Sequence, residues 1–212
     1  MKPKAIAMIS GGIDSPVAAK MMMDKYEIIP VHFCLYPFYC KGSFEITIST
    51  LQKLGFKKVI IFPFGPILSK IAKSERFYRC IMCRKSMFKI SEMLAEKYGA
   101  EAIITGESLA QKASQTLKNM AATTYKIKIP ILQPLLALDK QEIINLSKEI
   151  GTFSDIHTGC CTITPEKPVT RAEIEEAEMI FDDLDLENEI KKQMKKIVYD
   201  KPNKNILKKI II

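Results

Sequence analysis

The chain has 212 residues, of which 47% are hydrophobic and 26% charged, with 9 Gly and 11 Pro. That size and balance fit one full domain with a short appendage, and they exclude collagen-like, low-complexity and broadly disordered chains. A net charge of +8 favours an anionic partner, a nucleotide or a nucleic acid.

The first apolar run, Ala5 to Ile9, is interrupted by Ser10-Gly11-Gly12. It is too short for a secretory signal, and no later stretch has the length of a membrane span. The expectation is a cytoplasmic protein with no membrane partner. In that reducing compartment the six cysteines point to metal or sulfur chemistry rather than to structural disulfides.

Further short apolar runs follow at Ile28 to Phe33, Val59 to Pro63 and Ala102 to Thr105. Between them, Pro16 to Lys25, Phe44 to Leu54, Lys85 to Lys97 and Asp139 to Ile150 carry apolar residues at helical spacing. Strands alternating with helices predict crossover units, and unbroken rather than alternating apolar runs predict strands buried on both faces. The expected fold class is therefore α/β, a doubly wound, mostly parallel sheet, with chemistry beyond the carboxyl ends of the strands.

After Gly151 comes an irregular stretch with Cys160, Cys161, Pro165 and Pro168, then one or two polar helices from Thr170. Residues 1–170 are read as the catalytic domain and 171–212 as a C-terminal helical extension, acidic and then basic. Between Ala172 and Ile190 stand nine acidic residues and no basic one, whereas Lys191 to Ile212 holds eight lysines against Asp200 alone. From Asn203 the alternation of Lys and Ile fits a strand, a helix or a sticky arm equally well.

Ser10-Gly11-Gly12-Ile13-Asp14-Ser15 follows the first strand and opens a helix, with Pro16 suited to the first turn. Glycines let the backbone approach phosphate closely, hydroxyls donate, and the helix start contributes N–H groups and a positive dipole end. Asp14 would repel phosphate unless a cation intervenes, which suggests Mg2+. The string lacks the Gly-Lys-Ser/Thr ending of a Walker loop.

Cys80-Ile81-Met82-Cys83 precedes a predicted helix, flanked by Arg79, Arg84 and Lys85, all of which favour thiolate. Cys160 and Cys161 add two thiols far along the chain. Four-thiolate zinc is the plain alternative, although adjacent cysteines chelate a tetrahedral ion poorly. Three ligands suit a four-iron cluster with one open iron; a persulfide with a resolving thiol suits the same residues. Cys34, Cys40 and His157 read as loop or packing residues.

Four blocks taken together resemble the catalytic domain of the tRNA 4-thiouridine synthetase family, PP-loop sulfurtransferases also linked to thiamine thiazole synthesis. They are Ser10 to Val17, Cys80 to Met87, Thr105 to Leu117 and Cys160 to Thr170, and the match runs over about residues 4 to 175. The resemblance implies an adenine nucleotide alpha-hydrolase-like (PP-loop, Rossmann-like) fold and an ATP-dependent sulfurtransferase. In that reaction a uridine carbonyl oxygen of tRNA is activated as an adenylate, releasing pyrophosphate, and sulfur then displaces AMP.

By the same resemblance, Ser10, Gly11, Gly12, Asp14 and Ser15 cradle pyrophosphate, Arg84 offsets phosphate charge, and Met8, Ile9, His32, Phe33, Gly106 and Gln115 meet the nucleotide. Cys80, Cys83 and Cys160 are the expected sulfur site and ligands of an iron-sulfur (4Fe-4S) cluster, with Cys161 as the substitute third ligand and zinc as the alternative metal. The sulfur donor is sulfide or a persulfide carrier, and relatives tend to form homodimers. The family carries ferredoxin-like and THUMP domains ahead of this loop to dock tRNA. Here the loop begins at Ser10, so the basic tail or a separate RNA-binding subunit is expected to replace them. Competing readings are thiolation of a small molecule or sulfur-carrier protein by the same chemistry, and a nucleotide-binding subunit held by structural zinc.

Overall fold

The long apolar runs become strands because Ile and Val fill both faces of a sheet covered by helices. In the computed structural model, which describes residues 1–39, 41–74, 76–108, 115–155 and 161–210, β1 (Lys4–Met8), β2 (Glu27–Cys34), β3 (Val59–Pro63) and β4 (Ala102–Ile104) are parallel. Two short strands complete the sheet. β5 (Ile131–Leu132) is parallel to β4, and β6 (Val198–Asp200) runs antiparallel to β3, giving the order β5-β4-β1-β2-β3-β6.

Alternate side chains of β1, together with Ile9, the residue after it, feed two cores. Ala5, Ala7 and Ile9 pack with α1 (Asp14–Met22), α2 (Lys41–Lys53) and α6 (Lys140–Glu149), whose buried contributions include Val17, Phe44, Ile48 and Ile143. Ile6 and Met8 face the opposite core, built with α3 (Gly65–Ile71), α4 (Arg79–Tyr98), α5 (Leu117–Thr124), α7 (Ile174–Asp183) and α8 (Leu186–Met194). The result is the expected three-layer, doubly wound sandwich.

Residues 171–210 contribute to this body directly. Ala177, Phe181, Leu186 and Ile190 are buried in the second core, β6 closes the sheet edge, and a 3-10 helix (Lys204–Lys209) buries Ile206 in the first. Of the three possibilities for the tail, the 3-10 helix is realised. One other boundary moves: Cys80 and Cys83 do not precede α4 but lie within its first turns, because the helix begins at Arg79. Among the described residues no helix is long and apolar enough to cross a membrane.

The chain proceeds from β1 outward through β2 and β3, then returns to β4 on the other side of β1. The loops leaving β1 and β4 therefore diverge. That divergence opens a crevice at the carboxyl ends of the strands, where ligands of such sheets sit.

Candidate active site

A cavity of about 260 Å³ fills the crevice. Its phosphate-loop wall is built locally: the Ser10 amide donates to Ser15 Oγ at 2.9 Å, the two serine hydroxyls pair at 3.0 Å, and the Gly12 amide donates to Ser10 Oγ at 3.3 Å. No side chain caps the start of α1 at Ile13, so the helix end is left to whatever occupies the cavity. Gly106 sets the opposite lip. A Cβ there would lie 2.5 Å from the Ser15 nitrogen, so only glycine lets the loop after β4 come so close to the phosphate loop.

Met8, Ile9, Ser10, Gly11, Gly12, Asp14, Ser15, His32, Phe33, Arg84, Gly106 and Gln115 all line this one cavity, and Cys83 and Cys161 join them. Cys80 is half-buried one turn before Cys83 and is not among the lining residues. Cys160 and the other residues of 156–160, Cys40 and 109–114 lie outside the described residues. Cys161 is held by backbone: Thr162 N donates to Phe38 O at 2.9 Å, and Thr164 Oγ1 donates to Cys161 O at 2.8 Å. Cys34 is buried off this cavity, and burial pushes its thiol up.

His32 is buried, and burial pushes its pKa down to about 4, against a smaller opposing effect of its bond to Ile9 O. The ring Nδ1 lies 3.0 Å from that carbonyl. A carbonyl only accepts, so Nδ1 carries the proton and Nε2 is left as an acceptor. Tyr39, also on the cavity wall, is pushed up to about 12, chiefly by burial.

Two charged partners were not legible from sequence. Asp14 is paired with Lys140 at 2.6 Å, a lysine placed at the start of α6 by a reciprocal capping box between Asp139 and Glu142. Arg84 is ion-paired to Glu107, which is 2% exposed, and donates to Thr105 Oγ1 at 3.3 Å. Glu107 accepts a further bond from Gln133 Nε2 at 2.8 Å. Arg84 is thus aimed by its pair rather than standing alone. Arg84 Nε and Gln115 Oε1 are buried with no hydrogen-bond partner among the described residues, unmet groups on the wall of a polar cavity of the kind a ligand satisfies.

One carboxylate at a phosphate loop, completed by phosphate oxygens and water, is the donor set that suits Mg2+. The expected cluster ligand Cys160 lies outside the described residues. Among the described residues no three metal-ligating side chains gather, and the geometry presents two cysteines, Cys83 and Cys161, to the cavity.

Over residues 1–186 the chain matches the family described as thiamine biosynthesis protein (ThiI). It is 38% identical over 192 residues to a probable tRNA sulfurtransferase of Methanobrevibacter smithii, covering 82% of this chain and 49% of that protein. With the probable tRNA sulfurtransferase of Geobacillus kaustophilus it is 41% identical over 194 residues, 86% of this chain and 48% of the other. The chain spans about half the length of these curated relatives. A crystal structure of a 4-thiouridine synthetase–RNA complex with bound ATP superposes with a TM-score of 0.83 at 32% identity, over 95% of this chain and 55% of that one. An NH3-dependent NAD synthetase from Campylobacter jejuni shares the fold alone, with a TM-score of 0.52 and 16% identity over 91% of this chain and 84% of the other.

Proposed function

The chain belongs to the thiamine biosynthesis protein (ThiI) family, and on that footing we propose that it is an ATP-dependent tRNA sulfurtransferase of the 4-thiouridine type. One observation carries the reading: the phosphate loop and two cysteines, Cys83 and Cys161, line a single cavity. Activation by ATP and delivery of sulfur need the same substrate carbon, so the groups for both steps must face one space.

In this mechanism the uridine carbonyl oxygen attacks the α-phosphorus of ATP and pyrophosphate leaves. The Ser10–Ser15 loop and the start of α1 hold the leaving pyrophosphate, with Lys140 and the Glu107-aimed Arg84 supplying positive charge as it departs. Asp14 is the residue that would hold Mg2+, which when bound screens the phosphates. The buried Gln115 Oε1 and His32 Nε2 accept hydrogen bonds from the nucleotide. Sulfur then attacks the activated carbon and AMP leaves.

For the sulfur step, two thiols at the cavity favour a terminal persulfide on one cysteine. After its outer sulfur bonds to the carbon, the other thiol attacks the inner sulfur, leaving a Cys–Cys disulfide and a thiolated base. A cluster on Cys80, Cys83 and Cys160 is the second form of the same site, with Cys160 outside the described residues.

The test follows AMP and pyrophosphate release from ATP with tRNA transcript and a persulfide donor, with mass spectrometry of digested RNA. AMP formation that rises with tRNA and appearance of 4-thiouridine are expected, both lost in Asp14→Ala. Turnover that ignores tRNA but responds to a small acceptor or a carrier protein overturns the reading. Iron and labile sulfide after anaerobic purification would replace the persulfide step by a cluster; neither metal nor labile sulfide is the expected result.

A further inference from the structure

Beside the nucleotide cavity lies a second one, of about 720 Å³, which the proposed reaction does not use. The two share a wall. In the segment that leaves β2, Phe33, Leu35 and Tyr39 face the nucleotide cavity, whereas Cys34, Tyr36 and Pro37 face the second. Its far side is formed by α8 and the 3-10 helix of the tail, with Lys192, Lys196 and Lys209 against one carboxylate, Glu189.

These lysines differ in what they already hold. Lys209 is engaged by Asp200 at 2.6 Å, and the Glu189 carboxylate accepts from Gln193 at 2.6 Å. Lys192 and Lys196 are exposed and have no ion-pair partner among the described residues, in contrast to neighbouring Lys191, which pairs with Glu187 at 2.9 Å. Lys192 stands in the last turn of α8 and Lys196 directly after its C-cap, Lys195, so both ammonium groups belong to the same end of the helix. Tyr36, at 49% exposure, stands on the shared wall with its ring edge against Tyr39, centroids 6.4 Å apart. Two cations on one cavity wall, with a half-exposed aromatic ring between them and a reaction cavity, are the elements of a single-strand groove.

We propose that this second cavity takes the phosphodiester backbone of the RNA next to the nucleotide being thiolated, with Lys192 and Lys196 on phosphates and Tyr36 stacked on a flanking base. The inference rests on the tRNA reading above. A base delivered into the ATP cavity leaves its neighbours outside, and the strand must then pass over residues 35–39. The free lysines stand on the far side of that wall.

The test measures binding of a fluorescein-labelled, unmodified tRNA transcript to the full chain as a function of salt, alongside ATP affinity. Lys192→Glu/Lys196→Glu is expected to weaken RNA binding by about tenfold and to reduce the salt slope by about 1.4, two phosphate contacts on a single strand, with ATP affinity and melting temperature unchanged. Tyr36→Ala is expected to weaken RNA binding by about fivefold with little change in salt slope, and Tyr36→Phe to restore it, since stacking needs only the ring. RNA binding by the double variant equal to wild type overturns the inference and leaves the tRNA reading standing. So does an equal loss in Lys191→Glu, which would make the effect one of net charge. Wild-type protein that forms AMP with another acceptor and binds no tRNA overturns the tRNA reading itself.

Discussion

The two walls of the nucleotide cavity are made in opposite ways. The phosphate-loop wall is assembled by residues within six positions of one another, Ser10 to Ser15, through short-range hydrogen bonds. The cysteine wall joins the first turns of α4 to a segment almost 80 residues later, fixed by Thr162 on Phe38 and by Asn119, whose amide holds Val169 O and Ala172 N, each at 2.8 Å. A local wall is written in adjacent residues; a distant wall is written in the tertiary fold. They ought therefore to fail separately.

The sharpest way to separate them is to remove the thiols. Cys83→Ser and Cys161→Ser are each expected to abolish thiolation of tRNA while pyrophosphate release continues, because neither residue contributes to the loop that holds phosphate. Paired assays of pyrophosphate and thiolated nucleoside check this. Loss of both products together in a folded variant would mean that the walls are one chemical unit.

Gly106→Ala strikes the local wall from its opposite lip. With a Cβ 2.5 Å from Ser15 N and 2.7 Å from Asp14 C, backbone must move on one side or the other. A displacement of about 1 Å at reacting groups costs on the order of 100-fold, so pyrophosphate release should fall by about that factor. Nucleotide titration against the variant checks whether the loss lies in binding or turnover; an unchanged rate would show that the two loops are not mutually fixed.

This contrast also governs what the sequence discloses. The Ser10–Ser15 loop and the strands β1 to β4 are legible because an apolar run followed by Gly-Gly and a helical pattern is a local signal. Lys140 is not, since its partner Asp14 lies 126 positions away and a capping box reads as helix punctuation only. Glu107 sits in a recognisable block, yet its pairing with Arg84 depends on how β4 and α4 pack. β6 has three residues, Val198, Tyr199 and Asp200, too few for a period, and it forms because β3 offers an open edge. Gly65-Pro66 looks like a turn, although Pro is equally at home in the first turn of a helix, as in α3.

Asn119→Ala probes the long-range wall without touching the cavity. Asn119 is fully buried, and its amide bridges α5 to residues 169 and 172. Its removal leaves a backbone carbonyl and a backbone N–H unpaired, at about 1–3 kcal/mol each, so a loss of about 3 kcal/mol in chemical denaturation is expected. If Asn119 also positions Cys161, thiolation should fall further than pyrophosphate release at temperatures where the variant remains folded.

His32 offers the gentlest test, because pH rather than mutation loosens the local wall. Its folded pKa is about 4, against an ordinary value of 6.5, so between those values the unfolded chain binds the proton and the native chain does not. Stability from this group is therefore complete above pH 6.5, declines as pH falls, and stops declining below about 4. The slope approaches about 1.4 kcal/mol per unit in the middle of the window, so lowering the pH from 6.5 to 5 should cost about 1.6 kcal/mol. His32→Gln removes the titration while retaining a neutral donor and acceptor. Urea midpoints at a series of pH values should show the wild-type decline and its flattening in the variant. A decline of equal slope in both would place the acid sensitivity elsewhere, among ion-paired carboxylates such as Glu178, which, against the opposing effect of burial, Lys126 and Lys85 hold below the usual carboxylate range.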